Sequence, residues 1–356
     1  MQVRKLRQYV PLTREQFRER FYERFYDPAF DDVKPELEKV FERAWDGYIQ
    51  YRKSPRSRPA GAGFADASFH LPVEWLEARR AIQEAEKRYR DSASKSRILV
   101  VSGATRSEHT CPGETSKSWR LADHARKAIE AQPGFEVDLL ELSNLADEPW
   151  KVIHPCKACV STSMALCHWP CSCYPNHAMG QTNDWMHELY PRWVAAHGVL
   201  IVCPVHWYQA PASLKLMMDR LVCADGGNPD PTTTQGKDPA KAKALELAGW
   251  PYPRHLAGRA FAVVAHGDSQ GHEDLRRSLT QWLGDIGMIQ AGAAGAFDTL
   301  IGYYEPYATS HDKLDASPDI FVEVENAARS LTQQVRDIRS GQYRAPDAGL
   351  RHPRQK

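Results

Sequence analysis

Three stretches of the chain carry residue types suited to holding a phosphorylated, ring-bearing ligand. The first runs from Ser102 to Lys117, SGATRSEHTCPGETSK, between an apolar run and a helical pattern. Glycine lets the main chain approach a ligand closely, hydroxyls donate hydrogen bonds, and the first N–H groups of a helix carry partial positive charge. Ser102, Thr105, Arg106, Thr110 and Ser116 are the candidate phosphate ligands, and Arg106 would add a charge-assisted contact. Neither G-x-x-x-x-G-K-[ST] nor G-x-G-x-x-G occurs in the loop, so it is neither a P-loop nor a dinucleotide turn. The plainer alternative is a Ser/Thr-rich capping loop without a ligand.

The second stretch, Cys203 to Lys215, reads CPVHWYQAPASLK. Pro204, Val205, His206, Trp207 and Tyr208 would offer a flat ring both an apolar wall and backbone groups for its polar rim. The competing view is that Trp207 and Tyr208 only cover the end of a sheet. The third stretch, His266-Gly267-Asp268-Ser269-Gln270-Gly271, uses its glycines for tight turns and close approach to a ring edge. His266, Gly267, Asp268 and Gly271 are its candidates.

Five of the eight cysteines fall between Cys156 and Cys173, with His168 among them and His154 and His177 just outside. Four thiolates suit zinc or an iron–sulfur cluster, and Cys156, Cys159, Cys167 and Cys171 are the candidate ligands. Three readings stay open here: a bound metal or cluster, cysteines that serve packing and loop structure, and a redox-active disulfide. The cluster-free reading is preferred.

These stretches need elements to position them. Ile98-Leu99-Val100-Val101 is a wholly apolar, β-branched run, as expected of a strand buried on both faces of a parallel sheet. Similar strands are expected at Phe135–Leu140, Gly198–Cys203 and Ala260–Ala265, with a weaker fifth over Ile289–Phe297. Helices are expected over 116–132, 183–194, 212–222, 274–286 and 320–339, with Gly287 capping the fourth. Strand–helix alternation predicts a doubly wound α/β sheet of five parallel strands in the order 2-1-3-4-5. Ligands of such sheets sit beyond the carboxyl ends of the strands, where all three stretches lie. Residues 1–95 are expected to form a helical extension, on the spacing of Phe17, Phe21, Phe25 and of Trp45, Tyr48, Tyr51. A break falls at Ser54–Gly63, and a helix follows over 72–90. The sheet domain would span 96–342, with an irregular insertion at about 225–254 and a flexible tail at 343–356.

Composition sets bounds on function. Lys plus Arg total 46 against 45 Asp plus Glu, a net charge of +1, so no nucleic acid or anionic membrane is expected as partner. At 42 % hydrophobic and 26 % charged, the chain has the balance of a soluble globular protein. No secretory signal pattern opens the sequence, which predicts the cytoplasm.

The segment PVHWYQAPASLKLMMDRL resembles the P-V-Y-x-x-x-x-P-x-x-L-K-x-x-x-D-R stretch of the NADPH-dependent FMN reductase and flavodoxin-like quinone oxidoreductase superfamily. His206 and Trp207 stand where an aromatic often follows the valine. The loop from Ser102 is similar to that family's S-x-x-R-x-x-S/T phosphate loop, and His266 to Gly271 to its third flavin-contacting loop. The likeness covers roughly residues 97–296. It implies a flavodoxin-like fold, FMN as cofactor and NAD(P)H as co-substrate. The flavin would do the chemistry, with no catalytic side chain required. The reaction implied is hydride uptake from NAD(P)H and reduction of a flavin, quinone, nitroaromatic or other electron-deficient small molecule, by a homo-oligomer (dimer or tetramer). The cysteine segment is partly similar to iron–sulfur flavoproteins, although the spacing of its third cysteine differs. An FMN electron carrier serving a protein partner is the alternative, and a flavin-free scaffold the third.

Overall fold

The structure is a computed structural model that describes residues 10–50, 56–148, 150–161, 163–171, 184–249, 251–346 and 348–350. In chain order the strands are β1 (Ser57–Pro59), β2 (His70–Pro72), β3 (Ser96–Ser102), β4 (Phe135–Glu141), β5 (Gly198–Pro204), β6 (Ala260–Gly267), β7 (Ile289–Gln290) and β8 (Ala296–Leu300). The helices are α1 (Arg14–Tyr22), α2 (Lys34–Ile49), α3 (Val73–Arg90), α4 (Lys117–Glu130), α5 (Asn144–Asp147), α6 (Met186–Ala195), α7 (Ala212–Arg220), α8 (Pro239–Ala248), α9 (His272–Asp285), α10 (Ser310–Asp315) and α11 (Pro318–Arg339). None is long and apolar enough to cross a membrane.

The chain divides into two compact units. One comprises Met1–Glu84, Pro149–Tyr190 and Leu216–Arg254, and the other Ala85–Glu148, Pro191–Lys215 and His255–Lys356.

The second unit holds the α/β sheet. Its strands run β4-β3-β5-β6-β7, all parallel, and β8 also pairs with β6. The sheet therefore has six strands rather than the five expected. The expected fifth strand is broken at Gly292, whose φ of 65° is a left-handed turn that glycine tolerates. Its two halves lie successively along β6, at Ala260–Phe261 and at Val263–Gly267. Residues of β3, β5 and β6 are buried on both faces. On one face Ile98, Val100, Leu200 and Val264 join Leu121 and Ile129 of α4 and Val324 and Leu331 of α11 in one apolar core. Helix α9 packs on β6 and β8. It closes with the Met288 N–H on the Leu283 carbonyl at 3.0 Å and Gly287 at φ 84°, as a glycine cap requires.

Buried histidines tie this unit together. The Arg97 N–H donates to His197 Nδ1 at 2.9 Å, and His197 Nε2 donates to the Tyr89 carbonyl at 3.1 Å. That arrangement needs the neutral ring. Burial, helped by Arg339, pushes His197 down to about 4. Burial and nearby Arg259 push His255 down to about 4 as well.

The first unit differs from the expected helical extension. α1 and α2 enclose an aromatic cluster of Phe17, Phe21, Phe41, Trp45 and Tyr48. Residues 57–72, however, form a short antiparallel pair, β1 with β2. The insertion is structured too. Asp238 caps α8 by accepting from the Ala240 and Lys241 N–H groups, and α8 packs on the turn at Met164–Leu166. The Asn228 N–H donates to the Cys167 carbonyl at 2.7 Å, and Asn228 Nδ2 to the Ala165 carbonyl at 3.0 Å. The insertion and the cysteine segment are thus one folded body. Below them, Arg220 pairs with Asp184, both side chains almost wholly buried, and Arg220 Nη1 also donates to the His154 carbonyl at 3.0 Å.

Candidate functional site

β3, β5 and β6 end side by side, and the loops that follow them meet in one cleft of about 250 Å³. Its lining comes from Ala104, Thr105 and Arg106 after β3, Ser116 to Ser118 at the start of α4, Pro204 to His206 after β5, and His266 to Asp268 at the end of β6. Three loops far apart in sequence converge because parallel strands in register put their carboxyl ends on one edge. Val202 pairs with both Ser102 and Val264.

The floor is tightly fitted. A Cβ on Gly103 would lie 3.3 Å from Cys203 Sγ, from Leu214 Cδ2 and from the Val202 carbonyl, so a side chain here would need these neighbours to give by a few tenths of an ångström. Ser116 caps α4 by accepting from the Trp119 N–H at 3.1 Å. The first N–H groups of this 14-residue helix face the cleft region with the positive end of its dipole. Arg106 and Lys117 add two cations. Burial weakens the Lys117 ammonium, Asp268 opposes that effect and Arg106 reinforces it, so a bound anion would favour the charged lysine. Arg106 also lies over the Tyr307 ring, 5.3 Å from its centroid. His266, almost fully buried, shares a hydrogen bond with Ser118 Oγ at 2.8 Å through Nε2. Burial first, then Lys117 and His206, push this histidine down to about 3, so it stays neutral.

Several sequence candidates lie elsewhere. Ser102 is buried beneath the loop, its carbonyl accepting from the Leu142 N–H at 3.0 Å. The Thr110 hydroxyl is used locally, accepting from the Ser107 N–H at 3.1 Å and donating to the Ser107 carbonyl at 3.0 Å. Trp207 and Tyr208 neither line the cleft nor plug the sheet. They form the tip of a two-residue turn closed by mutual backbone hydrogen bonds between His206 and Gln209, with φ of 48° and 65°. Trp207 is 94 % exposed and Tyr208 59 %. Left-handed φ on such bulky residues costs about 1–2 kcal/mol each. Gly271 sits against this tip, where a Cβ would come within 2.8 Å of Tyr208 Cα. Conversely, Ala104, Lys117 and Ser118 line the cleft without having been singled out. The lysine signal was legible, since a cation in the first turn of a helix opposes the dipole and calls for an anion there.

Cys156, Cys159 and Cys171 are partly exposed, and Cys167 is buried. Cys173 and His177 lie outside the described residues. His168 is buried and bonded to Thr234 Oγ1 at 3.2 Å through Nε2, and Lys237 Nζ lies 3.4 Å from Cys159 Sγ. Among the described residues no three His, Cys, Asp or Glu side chains converge to hold a metal.

Fold and cleft together define a flavodoxin-like α/β protein with a cleft at the carboxyl edge of its sheet. The model of the NADPH-dependent FMN reductase family matches residues 96–299, and the chain belongs to that family. An iron–sulfur flavoprotein from Methanosarcina thermophila is 28 % identical over 126 residues, which is 35 % of this chain and 52 % of that protein, so the match spans about half of the relative. Among solved structures, RosB with a bound 8-demethyl-8-formylriboflavin-5′-phosphate intermediate aligns at 13 % identity and a TM-score of 0.46, over 70 % of this chain and 82 % of its own. A Bacillus anthracis FMN-dependent NADH-azoreductase with FMN aligns at 14 % and 0.41, over 66 % and 99 %. The family assignment rests on the family match alone.

The buried histidines make a pH prediction. The unfolded chain protonates each ring from about pH 6.5 downward, while the folded protein holds His255 and His266 neutral to about 4 and 3. Unfolding therefore takes up protons below pH 6.5, and stability present above that pH is lost as pH falls. Each proton contributes about 1.4 kcal/mol per pH unit. Urea midpoints measured between pH 7.5 and 5 should stay level down to about 6.5 and then fall. A level profile down to pH 5 would contradict the buried neutral rings.

Proposed function

We propose that the protein is an NAD(P)H-dependent reductase of small electron-deficient acceptors such as flavins or quinones. What carries the reading is the cleft itself, where two cations and a helix N-terminus meet one carboxylate, Asp268, beside the main chain of Pro204 to His206. That donor set fits a phosphate monoester joined to a polar ring. Thr115 Oγ1, buried and without a hydrogen-bond partner just ahead of α4, adds a hydroxyl that an incoming ligand group would satisfy. Thr105, Arg106, Ser116, Lys117 and the α4 N–H groups would hold the phosphate. Backbone groups of Val205, His206, Gly267 and Asp268 would meet the ring's polar edge. When bound, FMN would supply the hydride chemistry between the nicotinamide and the acceptor. The chain's part is to bind and orient. His266 is kept neutral, so the positive charge stays on Arg106 and Lys117.

The likeness to an iron–sulfur flavoprotein favours a second reading, in which Cys156, Cys159, Cys167 and Cys171 hold a cluster and electrons pass on to a protein partner. One preparation tests both. Protein purified without oxygen is analysed for flavin, iron and sulfide, then mixed with NADPH or NADH. Bound FMN whose colour bleaches promptly with either nicotinamide supports the reductase. Colour that bleaches only with a chemical reductant, together with iron and sulfide that Cys156→Ser removes, supports the carrier. A colourless protein that takes up no FMN defeats both.

A further inference from the structure

Five aromatic side chains stand exposed in the loops that frame the cleft: Trp207, Tyr208, Tyr303, Tyr304 and Tyr307. Trp207 sits on the loop after β5, and the other four are each tied to a loop at the cleft. Tyr208 rests against Gly271. Gln270 Nε2 donates to Tyr303 Oη at 3.3 Å, and the Tyr304 N–H to the Asp268 carbonyl at 2.9 Å. Tyr307 donates to Glu114 and lies under Arg106. Tyr303 and Tyr304 meet edge to face, with centroids 4.5 Å apart.

The backbone here is unusual in the same direction. Five non-glycine residues among those described have left-handed φ, and three of them, Trp207, Tyr208 and Tyr304, belong to this rim. Relaxed turns at these positions would use Gly or Asn. Large rings are held in strained conformations and left in water, a combination that folding alone does not favour. A flat apolar ligand laid against the rings would offset both costs.

We propose that this aromatic rim is an acceptor subsite selecting fused, multi-ring planar molecules, with Trp207 as its specificity-determining residue. The proposal rests on the reductase reading above, since the rim extends that cleft. Its position on an exposed turn beside His206, rather than in the core, leaves the Trp207 ring free to stack. Stacking on an aromatic platform needs no particular polar pattern in the ligand, so the subsite would discriminate by ring count rather than by functional group.

The test uses FMN-loaded protein and two quinone probes, a single-ring benzoquinone and a three-ring anthraquinone sulfonate. The readouts are the ratio of their kcat/KM values, and anthraquinone binding measured without turnover through quenching of protein fluorescence. Trp207→Ala should lower the anthraquinone-to-benzoquinone ratio about tenfold or more and weaken anthraquinone binding by a similar factor. Trp207→Phe should keep most of both, and Tyr304→Ala, which acts through a separate loop, should shift the ratio in the same direction. An unchanged ratio in both alanine variants overturns the proposal. So does dissociation of an oligomer by Trp207→Ala with selectivity unchanged, which would make the rim a subunit contact. Wild-type protein that takes up no FMN removes the reductase reading and the subsite together. FMN-loaded protein with no dependence on Trp207 removes the subsite alone.

Discussion

Asp184→Ala is expected to lower the free energy of unfolding by about 3–5 kcal/mol, the cost of leaving a buried charge without its counter-ion. Asp184 and Arg220 are almost wholly excluded from water and joined by two hydrogen bonds, Nη1 to Oδ1 at 3.2 Å and Nη2 to Oδ2. Asp184 Oδ1 also accepts from the Met186 N–H at 3.2 Å, so the same carboxylate helps start α6. Burial alone would weaken the Arg220 cation, but the adjacent carboxylate outweighs it and holds the charge firmly in place. Charge burial, rather than lost attraction, sets the size of the effect. Replacing both residues by apolar ones of similar volume, Asp184→Leu with Arg220→Met, should therefore cost much less than Asp184→Ala alone. Urea unfolding of the three proteins decides it. A single-variant loss below about 1 kcal/mol would mean that the pair is hydrated in solution.

Arg106→Ala is expected to weaken FMN binding by about 1.5–3 kcal/mol, roughly ten- to a hundredfold, the range for a hydrogen bond to a charged group. Lys117 and the α4 N-terminus remain in the variant, so binding is weakened rather than abolished. Arg106→Lys should recover part of the loss, because the charge returns without the planar fork. Raising the salt concentration should narrow the gap between wild type and variant. Equilibrium titration of the apoprotein with FMN measures all three. Equal affinity for wild type and Arg106→Ala would remove this loop from the phosphate site.

The parts of the fold that were legible in sequence are those whose residues meet apolar neighbours on every side. Ile98–Val101 and Ala260–Ala265 read as strands because both faces of the sheet are covered, leaving no polar alternation to confuse the pattern. The β1–β2 pair was not legible. It consists of two three-residue strands, each ending in proline, whose partners lie up to fifteen residues apart. Helix α8 was hidden because its only buried residue is Ala242, so it shows hardly any apolar stripe. At the site, the three loops were legible from position alone. The Trp207–Tyr208 turn was not, because two bulky residues occupy a turn whose usual sequence is Asn-Gly or Gly-Gly. Local preference is overridden there, which is common where a structure serves binding.

The three-segment make-up of the first unit has a consequence during synthesis. Residues 85–254 must leave the ribosome before Met1–Glu84 can meet its last partner segment, Leu216–Arg254. At about 5–20 residues per second, those 170 residues take roughly ten to thirty seconds to make. Until Pro170 has emerged, Trp75 lacks the carbonyl to which its indole N–H ends up donating. Residues 1–84 are therefore open to chaperone capture while the later segments of their unit are being made.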